Sequence, residues 1–218
     1  MNASIIRSIG PPPQRHADRV VAEMMRALAK TRAHVSDAIT DAVLRSSDGS
    51  PKAQRKMEER VMRAGAVQTQ LTPGKRGQYT LLVYDMCGWD QTSDQEISVG
   101  DSVPDKPWLA CNITLISSDG RGREEVQLKS TPLVFVTHHA LSRAAQRFGV
   151  RGSEHMITVA ESVWDAAFRL INDKGGVENA LAAPPDGWRT MMEIMDVRAT
   201  VVLKRHEKRH ALVAATVF

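Results

Sequence analysis

The sequence predicts an α+β protein: an N-terminal helical segment, then an antiparallel sheet packed with helices, ending in a β-hairpin. Apolar residues recur at helical spacing over residues 17–45 and again over 153–173. They alternate with polar residues over 108–116, and two β-rich stretches, 197–204 and 210–218, close the chain. At 218 residues, 42% of them hydrophobic, the chain is long enough to bury a core.

The N-terminal part is predicted to be a flexible arm followed by a basic helical segment. Three consecutive prolines prevent helix within residues 1–16. Over residues 17–76 we expect two helices, the second starting at Pro51 with Ser50 as its N-cap. Residues 1–76 hold 14 Lys/Arg against 7 Asp/Glu, which favours an anionic partner such as nucleic acid, although a solvated helix surface explains the charge equally well. The cations expected to bind nucleic acid on the second helix are Arg55, Lys56, Arg60 and Arg63.

Residues 77–218 are predicted to form the α+β body. Further strands are expected at residues 79–84, 124–128 and 133–136, with a turn at 117–122 and a long polar loop at 88–106. A short helix over residues 177–183 is expected to end at the Pro184-Pro185-Asp186-Gly187 turn.

The segment 138–148 is predicted to be an amphipathic helix with Thr137 as N-cap and Gly149 as its stop. Successive residues are rotated by about 100°, which divides the segment into two faces. The apolar face holds Ala140, Leu141, Ala144, Ala145 and Phe148, and the polar face holds His139, Ser142, Arg143, Gln146 and Arg147.

On the polar face, His139, Arg143 and Arg147 form a row at positions i, i+4 and i+8. Arginines can hold a phosphate through two hydrogen bonds, and a histidine can move a proton near neutral pH. The row therefore fits the chemistry of phosphodiester cleavage, while an ordinary solvated helix face is the alternative explanation.

This helix and its surroundings resemble a known family. The pattern is a strand, His139-Ala140-Leu141-x-Arg143-x-x-x-Arg147, a hydrophobic residue at Val150, another helix and a hairpin ending Ala215-Thr216-Val217-Phe218. It is similar to the RelE/barnase-type ribonucleases of toxin–antitoxin modules and their phage-borne relatives. The resemblance covers residues 132–218, and the first 131 residues have no counterpart in it.

The resemblance implies an RNase-like module that cuts RNA without a metal, using the 2′-hydroxyl as the nucleophile. His139 would then be a general acid or base, with Arg143 and Arg147 holding phosphate. The terminal hairpin would complete the site, with His206 and His210 in the catalytic set. Its cations Lys204, Arg205, Lys208 and Arg209 would bind nucleic acid, although a solvated hairpin turn explains them equally well.

The composition of the chain also indicates its compartment and whether it needs a cofactor. The longest apolar run, residues 211–218, is too short to span a bilayer, and no secretory signal opens the chain, so we expect a cytoplasmic protein without a membrane partner. Cys87 and Cys111 lack metal-ligand spacing and are expected to be unpaired buried thiols. We therefore expect no metal and no cofactor.

Three functional hypotheses follow. The first is a nucleic-acid-directed protein, specifically a metal-independent toxin-like ribonuclease acting on RNA, with an antitoxin-like partner or a second copy of the chain as further partners. The second is a non-enzymatic protein of a phage or mobile element that binds and inhibits a host protein. The third is a DNA-binding regulator, which depends on the basic N-terminal segment alone.

Overall fold

The computed structural model of the chain describes residues 12–45, 50–74, 78–118, 124–125, 131–194 and 196–218. Within these ranges lie five helices: α1 (Gln14–Arg45), α2 (Pro51–Arg63), α3 (His138–Arg147), α4 (Ser153–Asp173) and α5 (Val177–Leu181). The same ranges hold nine strands: β1 (Gln68–Pro73), β2 (Tyr79–Asp90), β3 (Gln95–Glu96), β4 (Trp108–Ser118), β5 (Glu124–Glu125), β6 (Thr131–Val136), β7 (Trp188–Ile194), β8 (Val197–Arg205) and β9 (Leu212–Val217). The predicted α+β class is confirmed.

The described strands all belong to one mixed sheet, whose main path runs β1-β2-β4-β6-β9-β8-β7. Strands β3 and β5 are short and pair with β2 and β4. The pairs along the path are antiparallel except β6 and β9, which run parallel. Three helices and the β7–β8 hairpin separate β6 from β9, so the chain can return to the same end of the sheet before β9 begins.

Helix α1 carries the predicted apolar stripe. Val21, Met24 and Leu28 are buried against the sheet, and Val35 and Ile39 are buried further along the helix. A 3.6-residue period places these side chains on one side, which explains why one long helix can cover the sheet. The arm predicted before it lies outside the described residues up to residue 11, as do residues 119–122 of the turn predicted at 117–122 and residues 126–128 of the strand predicted at 124–128.

Helix α2 begins as its sequence predicts. The Ala53 amide donates a hydrogen bond to the Ser50 hydroxyl at 3.2 Å, and Pro51 occupies the first turn, where no amide hydrogen is needed. Met57 and Val61 are buried, and the Tyr79 hydroxyl lies 3.5 Å from the Met57 sulfur.

Hydrophobic contacts cross the predicted segment boundary at residue 76. Val21 of α1 and Tyr84 of β2 belong to one buried cluster, and Met57 of α2 shares another with Leu81. Strand β1 also pairs along β2. The N-terminal helices therefore pack with the sheet.

Three strands were not predicted from the sequence: the two-residue β3, which lies within the predicted 88–106 loop, and the edge strands β1 and β7. β1 reads Gln-Thr-Gln-Leu-Thr-Pro and lies at an edge of the sheet, with its side chains largely exposed. β7 lies at the other edge and buries Met192 but no other side chain. An edge strand needs little apolar surface, so neither shows the alternation that marks a strand. Strand β2 also continues to Asp90, beyond the predicted end at residue 84.

The two faces of the sheet are covered differently. Leu109 and Val134 pack with residues of α1, α3 and α4 on one face, called here the helical face. Their neighbours Ala110 and Phe135 point the other way, because side chains alternate along a strand, to what we call the outer face. The buried residues of this outer cluster are Cys87, Ala110, Phe135, Ala211 and Val213, bordered by the partly exposed Trp89 and Trp108. Solvent therefore reaches the border of the cluster at Trp89 and Trp108, while its five central side chains are buried.

Gly187, just before β7, has a backbone conformation and a close contact that favour glycine, which can be tested by substitution. Its φ is +81°, and an added Cβ would lie 2.7 Å from the Leu203 carbonyl oxygen. Gly187→Ala is therefore expected to lower the free energy of unfolding by about 1–3 kcal/mol in denaturant titrations. Gly152→Ala is the matched control: a Cβ there meets nothing within 4 Å and φ is −142°, so its effect should be much smaller. Equal effects of the two variants would contradict the described geometry at Gly187.

Candidate functional site

The predicted helix with the His/Arg row is α3. The Ala140 amide donates to the Thr137 hydroxyl at 3.1 Å, and Gly149 follows the helix with φ +62°. His139, Arg143 and Arg147 are all exposed, as predicted for the row. Within the described part of the chain, none of the three forms a hydrogen bond or ion pair, so this row is a solvated surface on the helical side of the sheet.

Ser142 departs from the predicted polar face, because it is buried where α3 packs on α1. Its hydroxyl donates to Asp18 at 2.9 Å, and the His138 Nε2 lies 3.0 Å from the same carboxylate oxygen. In a Ser-His-Asp triad the two imidazole nitrogens contact different partners. Here Nε2 alone faces both Asp18 and Ser142, so this cluster fixes helix packing and lacks the geometry of a nucleophilic site.

The basic residues of the terminal hairpin lie elsewhere. They occupy the end of β8 and the turn before β9, which the His206 amide closes by donating to the Ala211 carbonyl at 2.9 Å. Ala211 and Val213 belong to the outer cluster, whereas α3 packs on the helical face. The two halves of the predicted catalytic set are therefore on opposite faces of the sheet.

His210 is directed away from the other turn residues. Its Nε2 lies 2.9 Å from a carboxylate oxygen of Glu178 in α5, and both side chains are exposed. The structure thus brings His206 together with the four hairpin cations but separates it from His139, Arg143, Arg147 and His210.

A groove of about 480 Å³ lies on the outer face, where the hairpin turn meets the ends of β2 and β4. It combines aromatic and basic side chains. Its lining residues are Trp89, Gln91, Thr92, Asp94, Trp108, Lys204, Arg205, His206, Glu207, Lys208, Arg209, Val213 and Ala215. We call this cavity the outer groove.

An aromatic cluster forms one wall of the outer groove. Trp89 and Trp108 are directly opposite each other on β2 and β4, and both are partly exposed. Phe135 lies behind them, with ring centroids 5.5 Å from Trp89 and 6.1 Å from Trp108. The edge-on contacts hold both indoles in place, so the exposed part of each ring lines the groove at little cost in side-chain entropy.

His206 connects the aromatic wall to the turn. Its ring lies 5.2 Å from Phe135 and 6.0 Å from Trp108. The backbone amides of Lys208 and Arg209 donate to its Nδ1 at 3.1 and 3.2 Å, so Nδ1 is unprotonated and the neutral ring carries its hydrogen on Nε2. Burial lowers the pKa of His206, and the nearby Arg209 lowers it further.

These contacts predict a defined tautomer for His206. At neutral pH we expect nitrogen NMR to show Nδ1 as the bare nitrogen and Nε2 as the protonated one, with a titration below the ordinary histidine pKa of 6.5. Protonating Nδ1 would break both amide hydrogen bonds, which is why acidification is needed to charge the ring. A spectrum with the hydrogen on Nδ1 would contradict the described turn.

Arg209 has a fixed position in the groove. Its Nη2 and Nε donate to the two oxygens of Asp94 at 2.6 and 3.2 Å, and its guanidinium lies 4.9 Å from the Trp89 ring centroid. The Trp89 Nε1–H also donates to Asp94 at 3.3 Å. The hydrogen bonds from Arg209 lower the pKa of Asp94, so the carboxylate stays charged at neutral pH.

The other groove cations are free to bind an anion. Lys204, Arg205 and Lys208 are exposed, and none forms an ion pair with an acid in the described ranges. Together with Arg209 they outnumber the two groove carboxylates, Asp94 and Glu207. The groove is therefore positive overall and attracts anions.

The cations predicted on α2 form a separate surface. Arg55, Lys56, Arg60 and Arg63 are exposed, and Arg63 pairs with Glu59 one turn away at 3.4 Å. No aromatic side chain accompanies them on α2. This surface carries charge but none of the planar contacts of the outer groove.

A second, small cavity of about 60 Å³ borders a buried polar network between α1 and β2. Arg32 pairs with Asp85 at 2.5 Å and with Glu96 at 3.4 Å, and the Asn112 amide donates to Asp85 at 3.3 Å and to the Cys87 sulfur at 3.1 Å. Burial raises the pKa of Asp85 to about 6, although Arg32 opposes the shift. The Asn112 Oδ1 has no hydrogen-bond partner among the described residues, but the charged groups pair with one another, so we interpret the network as structural.

The two cysteines are free and buried, as predicted. Burial raises the pKa of both thiols, so neither supplies a thiolate near neutral pH. Among the described residues, no group of three His, Cys, Asp or Glu side chains is arranged to hold a metal, and no helix has the length and apolarity needed to cross a membrane.

Comparison of the chain with protein-family models, curated proteins and solved structures found no match. The site is therefore interpreted from its own chemistry.

Sequence reasoning missed Trp89, Trp108 and Asp94. Trp89 falls inside the polar loop predicted at 88–106, and Trp108 begins the strand predicted after that loop. The pairing of the two indoles depends on β2 continuing to residue 89, beyond its predicted end, so it was not predicted. No sequence signal marked Asp94, because its contact with Arg209 joins residues 115 positions apart.

Proposed function

We propose that this protein binds single-stranded nucleic acid in the outer groove. The observation that carries the proposal is the pair of partly exposed tryptophans, Trp89 and Trp108, beside four cations in the outer groove. Bases stack on aromatic rings while Lys and Arg neutralise the phosphates, and this combination suits single strands. The two buried, unpaired thiols fit a reducing compartment, so we propose the cytoplasm as the location.

A single strand fits this groove better than a duplex does. In a duplex each base is already stacked on its neighbours, and its flat faces are unavailable to a protein ring. Stacking on Trp89 and Trp108 would require unstacking, which costs a few kcal/mol per base step. The Nε2–H of His206 supplies a hydrogen-bond donor for a base edge or a phosphate oxygen.

Fluorescence anisotropy with labelled oligonucleotides tests this proposal. Single-stranded RNA and DNA of matched length should bind more tightly than the corresponding duplexes, with an affinity that falls as salt rises. Stacking and phosphate pairing are common to RNA and DNA, so both single strands are used as probes. Duplex DNA that binds as tightly as the single strands would contradict the proposal and favour a DNA-binding regulator.

Paired lysine variants locate the contact. Lys204→Ala with Lys208→Ala removes two groove cations and should reduce the slope of log affinity against log salt by about 1.4, since each single-strand phosphate contact contributes about 0.7. Lys52→Ala with Lys56→Ala removes the same charge from α2 and serves as the control. A larger loss for the α2 pair would place the nucleic acid on α2, the other basic surface predicted from the sequence to bind it.

Cleavage of the bound strand is a second candidate, favoured by the presence of His206 in a phosphate-binding groove. The Nε2–H of the neutral His206 ring would donate a hydrogen bond to the scissile phosphate and stabilise the charge that develops on it, whereas general-acid catalysis would require the imidazolium. Incubating RNA with His206→Ala and His139→Ala proteins compares the groove with the α3 row. We expect any metal-independent cleavage to be lost in His206→Ala and retained in His139→Ala, and the reverse result would restore the α3 row as the catalytic site.

A further inference from the structure

Asp94 is the one groove carboxylate that holds a groove cation among the described residues. It lies on the exposed turn after β2, and its own backbone is in the left-handed region, with φ +58°. Its side chain is 62% exposed, so it can leave the groove without exposing apolar surface.

The contact between Asp94 and Arg209 has the form of a phosphate contact. Two guanidinium nitrogens meet two carboxylate oxygens, at 2.6 and 3.2 Å. Phosphate presents a similar pair of oxygens, and arginine binds both groups in this two-point manner. The Trp89 Nε1–H, the third group that donates to the Asp94 carboxylate, could also donate to a phosphate oxygen.

Arg209 does not depend on Asp94 to stay in the groove. Its guanidinium packs over the Trp89 ring at 4.9 Å and lies 5.9 Å from Phe135. These contacts would remain after the carboxylate departs, and the freed cation would face the same space.

We propose that Asp94 occupies the phosphate-binding position of Arg209 in the free protein and that a bound strand displaces it. This inference rests on the proposed function of the outer groove. It makes Arg209 the phosphate-recognition residue and Asp94 an internal competitor that weakens binding of anions.

The test compares charge-matched variants. Asp94→Asn removes the carboxylate that holds Arg209, and asparagine tolerates the positive φ of this position. Asp94→Gly also removes the carboxylate, and glycine adopts φ +58° without strain. Glu207→Gln removes the same charge from the groove, where Glu207 is exposed and forms no ion pair within the described ranges. We expect both Asp94 variants to bind a single-stranded oligonucleotide roughly tenfold more tightly than wild type, against about twofold or less for Glu207→Gln.

A lower oligonucleotide affinity in the Asp94 variants would overturn the inference. It would show that Asp94 orients Arg209 for binding instead of competing with the bound strand. A gain no larger than that of Glu207→Gln would also overturn the inference, because general charge removal would then suffice.

Two further measurements separate this inference from the proposed function. The Arg209 Nε–H resonance, followed during titration with inorganic phosphate, should respond at lower concentration in Asp94→Asn than in wild type; equal response contradicts the displacement. An oligonucleotide affinity that is the same in wild type and in the variant with alanine at both Trp89 and Trp108 contradicts the proposed function instead. No oligonucleotide binding by wild type or by either Asp94 variant would overturn both.

Discussion

Replacing Asp85 with alanine is expected to lower the free energy of unfolding by about 3 kcal/mol. The Asp85 side chain is 2% exposed and accepts hydrogen bonds from Arg32 and Asn112 within the sheet. Its removal deprives Arg32 of its nearest carboxylate. The Asn112 amide also loses a carboxylate acceptor and keeps its contact with the Cys87 sulfur. Urea titration at pH 7 measures the loss, and a decrease below about 1 kcal/mol would show that the network contributes little.

Asp85 also makes stability depend on pH, with a defined sign. Its pKa rises from 3.8 in the unfolded chain to about 6 in the folded protein. Between these values the native state holds a proton that the unfolded chain has released. The stability that this group contributes is therefore full below pH 3.8 and is lost as the pH rises through about 6.

Asp85→Asn is the matched control for that dependence. The amide has nearly the same shape and does not titrate, so the variant should lack this component of the pH profile. We expect the stability difference between wild type and variant to change by roughly 2 kcal/mol between pH 4 and pH 7, since one pKa unit corresponds to about 1.4 kcal/mol. Parallel profiles for the two proteins would contradict the raised pKa of Asp85.

Replacing both Trp89 and Trp108 with alanine is expected to weaken single-strand binding by at least about 30-fold. Each stacked base contributes about 1–3 kcal/mol, so losing two platforms removes at least about 2 kcal/mol. Anisotropy at fixed salt measures the change. Because both residues border the outer cluster, circular dichroism should first confirm that the variant folds.

Two controls accompany the tryptophan variant. Trp188→Ala removes a partly exposed indole from β7, outside the outer groove, and should leave the affinity within about twofold of wild type. Phenylalanine at positions 89 and 108 retains planar rings and should restore most of the binding. Equal losses for Trp188→Ala and the groove variant would indicate that general destabilisation, and not stacking, causes the effect.

Local features of the helices were predictable from the sequence. The Ser50-Pro51 start of α2 and the Thr137 cap of α3 depend on residues only three positions apart. The buried stripe of α1 follows from a 3.6-residue period. Such signals are short-range, so the sequence carries them without knowledge of the fold.

Contacts between distant segments were not predictable in the same way. Ser142 was assigned to the solvated face of α3, yet it is buried because α1 packs there and supplies Asp18. The hairpin cations were expected to join the α3 row, but the parallel pairing of β6 with β9 places the hairpin turn on the opposite side from α3. The periodicity of one helix does not predict where a neighbouring helix packs on it. The positions of basic residues along the chain do not predict the order and direction of strands in the sheet.

The four indole N–H resonances test most directly whether a single strand stacks in the outer groove. Trp164 is buried in α4, and the Trp188 Nε1–H donates to the Ala180 carbonyl, so both serve as internal references. On titration with a single-stranded oligonucleotide, the signals of Trp89 and Trp108 should shift while those of Trp164 and Trp188 stay unchanged. Oligonucleotide binding that leaves Trp89 and Trp108 unshifted would contradict stacking in the outer groove.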